Sequence, residues 1–385
     1  MTVLLALLLG LQAEPVLLRG GRVVGPDGKD REKADVLIRD GRIDAVGPSL
    51  EAPENARVVD ASGRTVMAGL VDASGGLGFE AAPNEEAREV TPAVRALDML
   101  DLRAPARRYA LAAGVTTAYV GPGARNVVGG LGAVVRTGGR RREEILLKED
   151  AALKAVLGPS PASGNYPPRS GPATFYARRP TTRMGVTWEL RKALEDARRG
   201  REGPADADHE ILRLVLAGRL PLRVAASRAT DIETALAVAE EFSVAVQIEE
   251  GQEAWKLAAR LAARKVPVLL RPSFREDPRE GLDVRLDAFR VLREAGVETA
   301  LLPPDGEPAE LRAAAALQVR HGASRPDVLR AVTAVPAALL GVAERTGTIE
   351  PGRSADLVVF SGDPLDPRSR VDVVLVAGRI EIGGR

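Results

Sequence analysis

The sequence contains no cysteine and only two histidines in 385 residues. Without thiols, the chain cannot form a disulfide, a thiolate metal site or a cysteine nucleophile. Aromatic residues make up only 3% of the sequence, and 54 Lys and Arg are balanced by 53 Asp and Glu. Stacking side chains are scarce and there is no excess of positive charge, so nucleic acid is not an expected partner.

The hydrophobic content is that of a folded chain. At 45% hydrophobic residues, a sequence of this length can bury a large core and is long enough for one barrel with a smaller companion domain. Asn and Gln are rare, whereas Arg, Glu, Ala and Leu are abundant. This balance is typical of a thermophile, although a high-GC genome favours the same residues.

The sequence begins MTVLLALLLGLQAEP, with an apolar run from Val3 to Leu11 and the small residue Ala13 before the polar Glu14. This length matches the apolar core of a signal peptide and is too short to span a bilayer. We therefore expect residues 1–13 to be a signal peptide and the protein to be exported to the periplasm or the extracellular space. Because no Lys or Arg precedes the run, a buried first strand in a cytoplasmic protein is the alternative. No later run approaches the length of a membrane helix, so we expect no integral membrane segment in the mature protein.

Both ends of the sequence have strand and turn patterns. Near the start, VLIR and RIDAVG flank Asp40-Gly41, and both of these residues tolerate the positive φ of a type I′ hairpin turn. Near the end, RVDVVLVAGRIEIGG repeats the pattern with a second turn at Ala377-Gly378. We therefore predict one composite β domain built from residues 14–66 and 345–385.

Residues 67–344 alternate between short apolar runs and amphipathic stretches. PLRVAAS, SVAVQIEE, VPVLLRP and ETALLPP are typical of strands, and DIETALAVAEEF and LDAFRVLREAG are typical of helices. This alternation predicts βα units on a parallel sheet. The expected fold is α/β, a distorted (β/α)8 TIM-like barrel beside the small composite β domain. In such a barrel, an active site lies at the carboxyl ends of the strands.

Five stretches of the sequence carry a family likeness. They are VLIRDGRIDAVG, DASGRTVMAGLVDA, AAGVTTAYVGPGARNVVGGLG, the tract from Thr182 to Gly185, and GTIEPGRSADLVVFSGDPLD. In this order they resemble the metal-dependent amidohydrolase superfamily, in particular its imidazolonepropionase-like and prolidase-like members. The resemblance implies one or two divalent ions at the barrel mouth, where an ion activates a bound water and an Asp handles the proton.

The resemblance also implies where metal ligands would lie. The family takes His-x-His from the first strand, a carboxylated Lys or a Glu from the fourth, single His residues from the fifth and sixth, and an Asp from the eighth. The matching residues here are Ser74, Gly76, Lys154, Ala225, Glu250 and, with a shift of one residue from Pro304, Asp305. Most ligands are therefore lost at Ser74, Gly76, Ala225 and Glu250, because none of these side chains reproduces an imidazole.

Three donors remain at the predicted mouth, and two interpretations of them are open. In the first, Lys154, Glu250 and Asp305 hold one divalent metal ion, with Lys154 and Asp305 as catalytic residues. In the second, no cofactor binds and Lys154 forms an ion pair with Glu250 or Asp305 that replaces the metal charge. A zinc site or a two-metal centre needs three or four converging donors, which favours the second interpretation.

The two histidines are predicted to lie elsewhere. His209 is in an acidic helical pattern, and His321 precedes Gly322 at a predicted helix end, where a cationic side chain favours the helix dipole. We expect surface or helix-end roles for both.

Other residues could contact a ligand. Arg125, Asn126 and Arg183 are candidates for binding an anionic substrate, with surface salt bridges as the alternative. The run Gly129–Gly132 lacks the ending of a phosphate loop and is predicted to be a tight turn.

Three functional hypotheses follow. The preferred one is a degenerate amidohydrolase-like pseudoenzyme, a noncatalytic binding or partner subunit that forms a homo-oligomer or associates with an active relative. The second is a metal-dependent hydrolase acting on non-peptide C–N bonds or small peptides through an atypical oxygen-rich site. The third is an exported ligand-binding scaffold. The first is preferred because a fold does not carry an activity without its site residues.

Overall fold

The structure, a computed structural model, describes residues 14–79, 83–163, 165, 178–200, 206–273 and 281–383. The predicted signal peptide, residues 1–13, lies outside the described residues. No helix within the described ranges is both long enough and apolar enough to cross a membrane.

The described residues form strands and helices in the following chain order. The strands are β1 (Val16–Val24), β2 (Asp30–Arg39), β3 (Arg42–Gly47), β4 (Arg57–Asp60), β5 (Thr65–Ala68), β6 (Leu70–Gly75), β7 (Val115–Val120), β8 (Val128–Arg136), β9 (Leu146–Val156), β10 (Leu222–Ala226), β11 (Val246–Glu250), β12 (Val268–Leu270), β13 (Thr299–Leu301), β14 (Leu357–Phe360), β15 (Val371–Val376) and β16 (Arg379–Ile382). The α-helices are α1 (Pro105–Ala112), α2 (Arg142–Ile145), α3 (Arg183–Arg199), α4 (Ala207–Leu216), α5 (Ala229–Phe242), α6 (Ala258–Ala263), α7 (Ala288–Glu294), α8 (Leu311–Arg320), α9 (Arg325–Ala331) and α10 (Ala334–Leu339).

One sheet joins strands from the two ends of the sequence, as predicted. Its order is β16-β15-β14-β5-β1-β2-β3, with β4 paired to β1. The predicted hairpin turns are confirmed: Asp40 and Gly41 have φ of 48° and 77°, and Ala377 and Gly378 have φ of 47° and 75°. Positive φ at both central residues gives the turn the twist that the flanking strands require.

The second sheet is a nearly closed barrel. Its strands run β13-β12-β11-β10-β9-β8-β7-β6, so neighbours in sequence are neighbours in space. Neighbouring pairs are parallel except around β8, which is antiparallel to both β7 and β9. The loop between β7 and β8 spans only residues 121–127, which is too short for the crossover that a parallel pairing needs. The barrel is therefore distorted at β8.

The expected tight turn at Gly129–Gly132 is wrong, because these residues lie within β8 and are buried. The glycines allow close packing inside the barrel. A Cβ at Gly132 would overlap the hydroxyl and ring of Tyr119, and a Cβ at Gly121 would overlap the same ring. Tyr119 therefore fills space inside the barrel that the two glycines leave free.

Buried apolar side chains of the described residues form three clusters that stabilise the fold. One lies between the barrel and its helices, one inside the composite sheet, and a smaller one inside the barrel around Val71, Tyr119 and Leu269. The two sheets are also joined by a buried ion pair, in which Arg136 Nε on β8 lies 3.3 Å from Asp356 Oδ1, just before β14. Asp356 Oδ1 also accepts a hydrogen bond from Ala377 N at 2.7 Å.

Candidate functional site

A cavity of about 320 Å³ opens at the carboxyl ends of β9, β10 and β11. Its charged and polar lining residues are Lys154, Ser160, Ser227, Arg228, Asp231, Glu250, Gln252 and Ser273. Its apolar lining residues are Ala124, Val156, Leu157, Pro159, Ala225 and Leu282. This is the end of the barrel at which barrel enzymes carry their active sites, and the volume suits a small molecule.

A larger depression, of about 850 Å³, lies on the composite sheet and includes the buried Asp35. The Asp35 carboxylate is already bonded to the backbone N–H groups of Gly20 and Leu50, at 2.7 and 2.8 Å. The Asp35 carboxylate therefore stabilises the backbone at Gly20 and Leu50. We regard the smaller cavity at the barrel mouth as the candidate site.

A cluster of buried charges lies next to the cavity. Glu249 on β11 accepts hydrogen bonds at the same carboxylate oxygen, Oε2, from Lys154 Nζ and from Arg223 Nε, the latter at 2.8 Å. The exposed fractions are 5% for Lys154, 1% for Glu249 and 0% for Arg223. The Arg223 guanidinium also donates to Ala73 O and stacks 4.2 Å from the ring centroid of Tyr119. One carboxylate thus binds two cations in the barrel interior.

The predicted ion pair of Lys154 with Glu250 or Asp305 is wrong in its partner, which is Glu249. Strand geometry explains the difference, since successive side chains of a strand point in opposite directions. Lys154 and Arg223 are opposite each other on β9 and β10, and Glu249 is opposite Ala225 on β10 and β11. The interior face of β11 therefore carries Glu249, and Glu250 points away from it.

The pKa values of the cluster follow from burial and charge. Burial alone would raise the pKa of Glu249, but Arg223 and Lys154 outweigh burial and lower it from 4.5 to about 2. Burial lowers the pKa of Lys154, while the charge of Glu249 opposes that shift. Glu249 is therefore a carboxylate at neutral pH, and it stabilises the positive charge of both neighbours.

Glu250 is held by a different cation. Its Oε2 lies 2.6 Å from Arg271 Nε, and Arg271 also donates to Pro303 O. Asp305, predicted to line the mouth, is exposed in the turn after β13 and is not among the residues that line the cavity. The described structure therefore does not bring Lys154, Glu250 and Asp305 together at one point, and their predicted catalytic and metal-binding roles stay predictions.

The structure also describes Ser74, Gly76 and Ala225, the positions that the resemblance aligns with histidines of the family. Ser74, at the end of β6, donates through Oγ to Asp72 Oδ2 at 3.0 Å, and its backbone N–H donates to Asp72 Oδ1 at 2.8 Å. Burial raises the pKa of Asp72, against these hydrogen bonds and the charges of Arg271 and Arg223. Gly76 faces open space, because a Cβ there would meet nothing within 4 Å. Ala225 lines the cavity with a methyl group.

The donors at the mouth do not fit the family's metal centre. A zinc site needs three or four N, S or O ligands that converge at about 2.0–2.3 Å. Among the described residues, no group of three His, Cys, Asp or Glu side chains is arranged so that it could hold a metal ion. Two carboxylates that are close to the mouth, Glu249 and Glu250, are bonded to Lys154, Arg223 and Arg271. We therefore derive no chemical step through a metal.

The predicted substrate-binding residues have bonded partners within the protein. Arg125 donates to the backbone oxygens of Ser160 and Ser163. Asn126 is buried and donates to Glu85 O, Arg88 O and Thr91 Oγ1. Arg183 pairs with Asp231 at the rim of the cavity. The partners Ser160 and Asp231 line the cavity, but Arg125, Asn126 and Arg183 themselves do not, so a substrate role stays a prediction for all three residues.

Both histidines lie at helix ends. His209 Nδ1 is 2.9 Å from Asp206 Oδ2 in the first turn of α4, and His321 is the C-cap of α8. Gly322 follows with φ of 89°, as the predicted helix end requires.

Sequence reasoning missed Arg223, Glu249 and Tyr119. Arg223 could have been found because it is a charged residue inside the apolar run LRVAA. A buried charge needs a partner, and since no acidic residue is adjacent in sequence, that partner had to come from another strand. The signal for Glu249 was weaker, because alternation along a short strand does not tell which of two adjacent glutamates faces inwards.

Comparison with known proteins agrees with this architecture. A model of the amidohydrolase family matches residues 309–381. The crystal structure of an amidohydrolase from Thermotoga maritima is 34% identical and superposes with a TM-score of 0.87, covering 96% of this chain and 100% of that chain. The chain belongs to the amidohydrolase superfamily. This confirms the family that the sequence motifs resemble.

More distant matches extend the comparison. Amidohydrolase tasK of Hapsidospora irregularis is 25% identical over 86% of this chain, but the chain spans only 38% of that protein. A dihydroorotase from Solibacter usitatus is 45% identical over 58 residues, which are 15% of this chain and 13% of that protein. A prolidase in complex with N-methylphosphonate-L-proline is 19% identical with a TM-score of 0.60, covering 96% of this chain and 100% of that chain. At that identity the prolidase shows a shared fold alone.

Proposed function

We propose that this member of the amidohydrolase superfamily is a noncatalytic binding or partner subunit in which an internal ion-pair cluster replaces the metal centre. The observation that carries the proposal is the Glu249 carboxylate, bonded to Lys154 and Arg223 in the interior of the barrel. A lysine that donates to a carboxylate in this way acts as an ammonium group. The proposal assigns Lys154 that role in place of the metal-bridging carbamate that the resemblance implies on the fourth strand.

Electrostatics favours this arrangement over metal binding. A buried carboxylate between two cations is stabilised in its charged form, and removing one partner from such a group leaves an uncompensated charge. A divalent cation near Lys154 would be repelled by its ammonium and by the Arg223 guanidinium. Both would have to move before Glu249 could serve as a ligand.

The alternative proposal is a metal-dependent hydrolase of C–N bonds, supported by membership of the superfamily. It would use Lys154, Glu250 and Asp305 as an oxygen-rich site. Against it, Glu250 is paired with Arg271, and Asp305 is exposed outside the cavity lining. An exported ligand-binding scaffold is compatible with the cavity and differs from the preferred proposal only in location and partner.

Metal content tests the proposal. Protein purified without chelators and analysed by inductively coupled plasma mass spectrometry should contain far less than one Zn, Mn, Ni or Fe ion per chain. A stoichiometric ion that is lost on chelation together with amidohydrolase activity would reject it.

The matched control adds the four missing imidazoles: Ser74→His, Gly76→His, Ala225→His and Glu250→His. Imidazole is a good ligand for zinc, so the folded variant should take up more zinc than the parent under the same conditions. Equal, low uptake by a folded variant would show that the ligand positions are assigned to the wrong residues.

A further inference from the structure

The depression on the composite sheet is a second concave surface, and it shares no lining residue with the mouth cavity. Its volume is about 850 Å³, which is large enough for an organic molecule with several functional groups. The charged residues of its lining are four cations and two acids: Arg19, Arg22, Lys33, Arg64, Glu32 and Asp35. The surface is therefore polar, with cations in excess.

The positive charge of this lining is incompletely neutralised. Among the described residues, the side chains of Arg19 and Lys33 form no ion pair or hydrogen bond, and both are exposed. Asp35 is 3% exposed, and its carboxylate accepts hydrogen bonds from two backbone N–H groups. Glu32 is the one exposed carboxylate of the lining. An anion in the depression therefore meets two free cations and one opposing acid.

Two adjacent β-bulges of the β1–β2 pair form this surface. In the first, Arg19 and the residue after it lie opposite the single residue Asp35. In the second, Arg22 lies opposite both Glu32 and Lys33. A bulge bends its strand and re-aims side chains, and bulges are frequent beside functional sites. The two bulges therefore bring charged side chains of both strands to one depression.

The backbone at Lys33 is in a costly conformation. Its φ is 51°, in the left-handed region that a residue with a Cβ seldom adopts, and glycine would occupy the position without that cost. Strained positions of this kind concentrate at functional sites. No side-chain bond of Lys33 within the described ranges offsets the cost. A function for the Lys33 ammonium outside the chain accounts for it.

The other two cations are held in place. Arg22 donates from Nε and Nη2 to Oγ1 of the buried Thr65, at 3.0 and 2.7 Å. Asp30 lies 3.7 Å from Arg22 Nε but 3.0 Å from Arg325 Nη1, so it neutralises Arg22 only in part. Arg64 Nε lies 3.5 Å from a carboxylate of β15. Side chains that are already ordered lose little conformational freedom when a ligand binds them, which favours affinity.

We propose that the depression on the composite sheet binds a small molecule with two or more phosphate groups. Its four cations come from β1, β2 and the turn before β5, so a ligand with several anionic groups reaches more of them than a single anion does. Guanidinium groups match phosphate oxygens with paired N–H donors. Because the surface is concave, a free phosphate compound fits it better than the flat face of a lipid bilayer does. This site is separate from the barrel mouth and goes beyond the proposed function.

Isothermal titration calorimetry of the full chain tests the proposal with tripolyphosphate and orthophosphate as probes. At low ionic strength, tripolyphosphate should bind saturably and about tenfold or more tightly than orthophosphate, because it contacts more cations. Binding should weaken as NaCl is added, since salt screens exposed charges. No saturable binding of tripolyphosphate, or equal affinity for the two probes, would overturn the proposal.

Vesicles distinguish a soluble ligand from a lipid headgroup. The protein should cosediment no more with phosphatidylglycerol vesicles than with phosphatidylcholine vesicles. Cosedimentation with phosphatidylglycerol vesicles alone, together with no binding of tripolyphosphate, would assign the surface to a membrane and reject the proposed ligand.

Matched variants assign the contacts. Arg19→Ala combined with Lys33→Gly removes both free cations, and glycine suits the positive φ, so the variant should fold. It should bind tripolyphosphate about tenfold more weakly than the wild type. The control combines Arg320→Ala with Lys265→Gly, which changes the net charge equally at exposed residues, and Lys265 also has a positive φ, of 53°. The control should bind as the wild type does.

Glu32→Gln should have the opposite effect. It removes the opposing charge, so tripolyphosphate should bind several-fold more tightly. If the variant with Arg19→Ala and Lys33→Gly melts at the wild-type temperature and binds with unchanged affinity, or if the control loses as much affinity, the site is assigned wrongly. None of these residues lines the mouth cavity, so the outcome is independent of the metal analysis.

Discussion

At the scale of single residues, the decisive group is the Glu249 carboxylate, which is 1% exposed and bonded to two cations. Buried ion pairs contribute little net stability relative to apolar packing, yet removing one partner is costly because the remaining charge stays buried. Among the described residues, Glu249 is the only acidic side chain that forms an ion pair with Arg223. Its loss would leave Lys154 and Arg223 facing each other.

We therefore expect Glu249→Gln to destabilise the fold by roughly 3–5 kcal/mol at neutral pH. The pKa of Glu249 is lowered in the folded state from 4.5 to about 2, so its contribution is fully present above pH 4.5 and is lost as the pH falls through about 2. The difference in free energy of unfolding between wild type and variant should therefore shrink across this window. Urea denaturation at a series of pH values measures it.

The control for that experiment is Glu344→Gln. The Glu344 side chain is 92% exposed, although it lies 2.9 Å from Arg353. An exposed pair of this kind contributes about 0–1 kcal/mol. If both variants lose the same small amount of stability, the cluster does not depend on Glu249 in the way we infer.

At the scale of elements, Tyr119 on β7 packs against Gly132 of β8 and Gly121 of the β7–β8 loop inside the barrel. The Tyr119 hydroxyl is buried without a hydrogen-bond partner, and burial raises its pKa to about 12. Its ring stacks on Arg223 and lies against Gly132 and Gly121. The glycines are therefore needed for space rather than for a turn.

Gly132→Ala tests this role. The new methyl group would overlap the Tyr119 ring, so we expect a loss of roughly 1–3 kcal/mol, as is usual for overpacking. Gly76→Ala, just after the end of β6, places its methyl group in open space and should change stability little. Thermal unfolding followed by circular dichroism compares the two. Equal melting temperatures would mean that the barrel interior adapts to the extra methyl group.

Most elements were predictable, and the exceptions have physical reasons. Alternating or apolar runs predicted β10 to β13, α5 and α7, and the turn at Asp40-Gly41 predicted the first hairpin. The strand β8 was missed because GGLG has the composition of a turn. The reasons for glycine are tertiary: a Cβ at Gly132 would overlap Tyr119, and Gly130, with φ of 117°, lies against Val94 O. At the site, the resemblance placed Lys154 correctly on the fourth barrel strand. Its ion-pair partner, Glu249, could not be told from Glu250, because the sequence does not show which face of β11 points inwards.

At the scale of the whole molecule, one buried ion pair connects the barrel to the composite sheet. Arg136 and Asp356 are 7% and 1% exposed, and Asp356 also accepts from Ala377 N in the last hairpin turn. Asp356 therefore stabilises both the junction of the sheets and the turn between β15 and β16. The sequence predicted that the two ends form one sheet but not which charges join it to the barrel, because Arg136 and Asp356 are far apart in sequence.

Asp356→Ala should cost roughly 3–5 kcal/mol, because Arg136 would remain buried without its partner. Asp44→Ala removes an exposed partner of Arg39 in the same sheet, where the two side chains are 53% and 45% exposed, and should cost little. Differential scanning calorimetry of both variants makes the comparison. A junction that tolerates Asp356→Ala as well as Asp44→Ala would show that apolar packing alone joins the sheets.

The pairing of β5 with β14 also has a consequence for biosynthesis. Val66 is opposite Val359, so β5 leaves the ribosome roughly 290 residues, or about 15 to 60 s, before its neighbour is made. During that interval, the backbone N–H and C=O groups on the β14 side of β5 have no strand to bond. The four residues of β5, all buried in the folded protein, also lack part of their covering. Nascent chains that stall before β14 should therefore be the species that chaperones hold and that aggregates when they are absent.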